Sequence, residues 1–96
     1  MGKSKRIWQS KDGKDIITST VVVHTFSVAD VDDPDIYAGQ PIHEWQQTEA
    51  GKWVMENAIQ KPSWHRQFDI YAYGYQYQIR ADLTDEQITF FELKYR

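Results

Sequence analysis

The chain contains no cysteine. That removes disulfides, thiol catalysis and cysteine-ligated metals, and it suits a reducing compartment such as the cytoplasm. No run of about 18 apolar residues occurs, so nothing reads as a membrane span. There is no basic excess either: 11 Lys and Arg stand against 14 Asp and Glu, for a net charge of −3. A general nucleic-acid binder displaces counterions with a cationic surface, so this balance argues against one. The opening MGKSKRIWQS has three basic residues but no apolar core, unlike a secretory signal. Arg6 stands where a myristoylation site needs Ser or Thr.

Catalytic signatures are missing too. Ser4, Ser10, Ser19, Ser27 and Ser63 fall in no GxSxG context, and His43-Glu44 is not continued to HExxH. His24, His43 and His65 fall in three separate predicted elements. The cluster Asp30, Asp32, Asp33 and Asp35 lacks the calcium-loop order: its sixth position is Asp35 rather than Gly, and its twelfth is Pro41 rather than Glu. The sequence therefore predicts no enzyme, no metal site and no cofactor. With 96 residues, the chain reads as one domain, residues 1–96.

Aromatic residues are what the chain has in quantity, at 15%. In FDIYAYGYQYQIRADL, Tyr71, Tyr73, Tyr75 and Tyr77 recur at every second position, followed in phase by Ile79, Ala81 and Leu83. Strict period two predicts a long strand over 68–83 with one aromatic face. Gly74 suggests a bulge that divides it. Residues 15–28 are rich in β-branched side chains with neither phase strongly polar, which predicts a central strand. A shorter strand over 6–10, anchored by Trp8, would pair with it across the Asp12-Gly13 turn.

Residues 29–40 read as an acidic surface loop around Pro34. From Pro41 to Gln60 the spacing predicts a helix with Ile42, Trp45, Ala50, Trp53 and Val54 on one stripe and Pro62 beyond its end. Gly51 would mark a kink or a close approach. Trp8, Trp45, Trp53 and Trp64 are the bulk of the expected core. Residues 88–95 read as a last strand, joined by a three-residue loop over 84–86. That register sets Ile79 against Phe91, Tyr77 against Leu93 and Tyr75 against Tyr95. The fold class that follows is α+β: an antiparallel sheet of three to four strands with one helix on one face, in the order (β)-β-α-β-β.

One helix could not cover a strand of that length, so part of the tyrosine face would stay open. A wet core edge, an interface between copies and a base-stacking platform all fit such a face. The composition predicts a small non-enzymatic interaction protein that forms a homo-oligomer through Phe68, Tyr71, Tyr73, Tyr75 and Tyr77. A small-ligand or single-stranded nucleic-acid site on the same face is the alternative. The stretches Glu44-Trp45, Gly51-Lys52-Trp53-Val54-Met55-Glu56, Tyr77-Gln78-Ile79-Arg80-Ala81-Asp82-Leu83 and Thr89-Phe90-Phe91-Glu92-Leu93-Lys94 resemble small uncharacterised proteins of tailed marine phages, cyanophages included. The resemblance runs from Arg6-Ile7-Trp8 onward. It implies a phage accessory, host-modulating or virion-associated role, in the host cytoplasm or the virion, with a host or phage protein as a further partner. It carries no functional residues.

Overall fold

Two antiparallel hairpins lie side by side in one four-stranded sheet of order β1-β2-β4-β3 in the computed structural model, which describes residues 5–10, 12–71 and 73–95. The elements in chain order are β1 (Lys5–Gln9), β2 (Asp15–Ala29), α1 (Pro34–Gln47), α2 (Glu49–Asn57), β3 (Ser63–Asp69), β4 (Gly74–Leu83) and α3 (Asp85–Tyr95). The α+β class with an antiparallel sheet stands. The single helix becomes three, and the final element is a helix rather than a strand.

The β1–β2 hairpin forms across Asp12-Gly13, where Gly13 takes φ +82, a value that costs other residues sterically. Ser10 closes the turn through Lys14: its amide donates to the Lys14 carbonyl at 3.0 Å and its hydroxyl at 2.8 Å. β2 is central, paired to β1 on one side and β4 on the other. Its register with β4 slips between Val22 and His24. This bulge explains why neither phase of β2 is polar. Ahead of it, the odd-numbered Ser19 and Val21 share the helix-covered face with Leu83 and Ala81. After it, the even-numbered His24, Phe26 and Val28 take over. The bulge expected at Gly74 is therefore in β2; Gly74 opens β4, its Cα so close to Val28 that a Cβ would stand 2.5 Å from that carbonyl oxygen.

The long helix expected from Pro41 starts at Pro34 instead, with Asp35 in its first turn and Pro41 inside it. Both prolines suit a first helical position, and it is Pro34 that opens the helix. The helix also breaks at Thr48, which ends α1 and begins α2. Its hydroxyl donates to the Trp45 carbonyl at 2.6 Å and accepts from the Gly51 amide at 3.0 Å. Gly51 is needed at this corner for close approach, because a Cβ there would lie 1.8 Å from the Trp45 carbonyl oxygen.

The expected strand over 88–95 is α3, and its start was visible as Thr84-Asp85-Glu86-Gln87. Thr84 Oγ1 accepts from the Gln87 amide at 3.2 Å while Gln87 Oε1 accepts from the Thr84 amide at 2.9 Å, a reciprocal cap. Ile88, Phe91 and Tyr95 then recur at helical spacing toward the core, with Lys94 in the last turn. Phe90 and Leu93, which made the segment look alternating, are exposed. The cross-strand pairs of Phe91, Leu93 and Tyr95 with β4 do not form; β3 takes that side of β4 instead.

All three helices pack on one face of the sheet. Trp45, Val54, Ile88 and Phe91 meet Val23, Ile79, Ala81 and Leu83 there. Val54 and Leu83 are fully buried, and each such side chain contributes about 1.5–3 kcal/mol of hydrophobic stabilisation. Trp53 stacks on Phe90 at 5.2 Å and approaches Phe91 and Tyr95, tying α2 to α3. Among the described residues the other face of the sheet carries no helix.

Candidate functional site

The tyrosine run splits where the chain turns. β3 ends at Asp69, whose Oδ1 accepts from the Tyr71 amide at 3.0 Å, a side-chain turn that starts the reversal. Tyr73 completes it in the left-handed region, at φ 51. The expected strand over 68–83 is thus the end of β3, a hairpin tip and β4. Tyr75 and Tyr77 belong to β4, while Tyr71 and Tyr73 lie in the tip.

Tyr77 is fully buried, so it leaves the expected contact surface. Its ring stacks on Phe26 at 5.0 Å, nearly parallel, and touches Trp64 at 5.6 Å. Its hydroxyl donates to Asp35 Oδ1 at 2.6 Å, and Arg66 Nη1 reaches the same oxygen at 3.0 Å. Burial, with the Asp35 carboxylate next in weight, pushes the phenol above its ordinary value despite Arg66. Tyr75 is half-buried, with Phe68 edge-on at 5.3 Å and the Arg66 guanidinium over its ring at 5.2 Å.

The Asp35 contacts hold the start of α1 over the β3–β4 hairpin and gather apolar side chains at one end of the molecule. Tyr71 is 94% and Tyr73 78% exposed, with Phe68, Ile70, Ile36 and Tyr37 also open. This end continues into β3, a seven-residue edge strand whose residues are almost all exposed, Trp64 among them. Among the described residues β3 pairs only with β4. No proline interrupts it, and its one formal cation, Arg66, is tied to Asp35, so little blunts this edge against another strand.

A second feature lies on the helix-free face and was not singled out by sequence reasoning. There Arg6, Lys61 and Arg80 surround a cleft of about 180 Å³, with Thr20, Ser63 and His65 on its walls. Asp82, 5% exposed, forms its floor. It accepts from Thr20 Oγ1 at 2.5 Å and Gln60 Nε2 at 2.8 Å, and Arg6 stands 3.6 Å away. The register would have been needed to find this group, since its members come from four separate stretches.

Ser63 Oγ lies 3.3 Å from His65 Nε2. Asp82 cannot complete a triad with them: His65 is opposite Gln78 and Ser63 opposite Arg80, so Asp82 is beyond the serine rather than behind the imidazole. The three histidines stay apart on β2, α1 and β3. Among the described residues no group of three His, Asp or Glu is placed to hold a metal ion. Among the described residues no helix is long and apolar enough to cross a membrane.

Compared with family models, curated proteins and solved structures, the chain matches none.

Proposed function

We propose that this chain is a small non-enzymatic interaction protein that works as a homo-oligomer, a second copy adding to the open edge of β3 and closing over the aromatic tip. The observation that carries the reading is the unblunted β3 edge running into Phe68, Tyr71 and Tyr73, which are 51%, 94% and 78% exposed. An aromatic surface of this kind suits an interface, since each ring buries a large apolar area and its hydroxyl keeps a polar partner.

β3 is nearly self-complementary. An antiparallel copy related by a two-fold axis at Arg66 sets Trp64 opposite Phe68 twice, on the side where both already lie. The two central arginines are each neutralised by their own Asp35. A one-residue shift would instead set the aromatic face of one copy against the polar face of the other. The resemblance to tailed-phage proteins adds a host or phage protein, met in the host cytoplasm or the virion, as a further partner for the same edge.

Light scattering on the chain at micromolar concentration is the test. A dimer or larger species is expected, and Phe68→Lys should return it to a monomer with an unchanged circular dichroism spectrum. A wild-type monomer throughout that range sinks the reading.

A further inference from the structure

The helix-free face asks a different question, because its charge runs against that of the molecule. The chain carries −3 overall, yet Arg6, Lys61 and Arg80 converge on one cleft with Asp82 as its single carboxylate. That carboxylate is fully engaged by Thr20, Gln60 and Arg6. Arg80 directs its Nε and Nη2 to the neutral Gln78 oxygen, at 3.3 and 2.8 Å. Among the described residues neither Arg80 nor Lys61 has a carboxylate within ion-pair distance. Two positive charges are thus left uncompensated beside the hydroxyls of Thr20 and Ser63 and the imidazole of His65.

We infer that this cleft binds a phosphate dianion, free or as the monoester group of a small molecule. Two spare cations match a dianion in charge. A guanidinium, an ammonium and the Ser63 hydroxyl supply donors that phosphate oxygens accept, and arginine is suited to such oxyanions by its planar fork. At about 180 Å³ the cleft falls below the range of roughly 300–1,000 Å³ that encloses whole drug-sized ligands, so it holds the charged group and leaves the rest of the molecule outside. The buried Asp82 holds Thr20 and Gln60 by hydrogen bonds before any ligand arrives, which lowers the ordering cost of the cleft wall. The cleft faces away from Trp64 and Phe68, although its Ser63 and His65 belong to β3, the strand through which the proposed self-association runs.

Amide shifts followed by NMR at low ionic strength test it, with inorganic phosphate, AMP and adenosine as probes. Phosphate and AMP are expected to give saturating shifts around Ser63, His65 and Arg80, and adenosine none. Arg80→Gln should weaken phosphate about tenfold or more, as loss of a charge-assisted hydrogen bond does. Lys61→Gln, at an exposed position, should weaken it several-fold with no loss of fold, and Lys52→Gln on α2 should not. Shifts that never saturate overturn the inference. So do shifts reproduced by potassium chloride at equal ionic strength, an equal loss in Lys52→Gln, or adenosine binding as well as AMP.

Discussion

Tyr77 and Tyr71 are the same side chain on one short stretch, and they do opposite things. Tyr77 has no exposed surface: its ring is enclosed by Phe26 and Trp64, and its hydroxyl is spent on Asp35. Tyr71 is 94% exposed at the hairpin tip, where Asp69 ties down its backbone amide. The difference lies in what covers each position. α1 reaches over β4 at Tyr77 through Asp35, and among the described residues none covers the Tyr71 ring. A tyrosine stripe is therefore a structural statement at one end and an offer of contact at the other.

The sharpest way to break this comparison is Tyr77→Ala, which leaves a ring-sized cavity and removes the hydroxyl's bond to Asp35. A loss of about 3–5 kcal/mol in unfolding free energy is expected by urea titration. A smaller effect should come from Tyr77→Phe, which keeps the ring and drops the hydroxyl bond, at about 1 kcal/mol near neutral pH. The two proteins should also diverge in alkali. The folded phenol titrates above its ordinary value of 10.0, so the unfolded chain ionises first. The stability held below pH 10 is then lost as pH rises toward the folded value, and the advantage of wild type over Tyr77→Phe should shrink above about pH 10. A constant difference across that window would mean that the phenol is not shielded. Least of all should come from Tyr71→Ser with Tyr73→Ser: within about 0.5 kcal/mol for the dilute protein, alongside weaker self-association by light scattering. A large stability loss there would put the tip in the core and collapse the contrast.

Much of this arrangement can be read from local chemistry. Asp12-Gly13 announces the first hairpin. The dense β-branching of 15–28 announces a central strand, and Ile42, Trp45, Ala50, Trp53 and Val54 all join the core, though from two helices rather than one. Where structure and sequence pattern part, a short-range signal overrides a longer periodicity. Period two across Tyr71 to Tyr77 ran straight through a turn, because that turn uses Asp69 and a left-handed Tyr73 in place of the usual glycine. The alternation of 88–95 concealed a helix whose cap, Thr84 with Gln87, was plainly spaced for the purpose. The polar cleft was invisible for another reason: Arg6, Thr20, Gln60 and Asp82 become neighbours only through the pairing of β1 with β2 and β2 with β4.

That last pairing has a consequence for how the chain reaches its fold. Each hairpin joins strands close in sequence, but β2 meets β4 through pairs such as Ser19 with Leu83 and Ala29 with Gly74. Everything from α1 to the end of β3 must be looped out before those pairs can close. Such long-range closure is the slow, entropically costly event in folding, and local hairpins form far faster. The seam between β2 and β4 is therefore the step that commits the molecule. Until it closes, both of its central strands present unpaired edges to any neighbour.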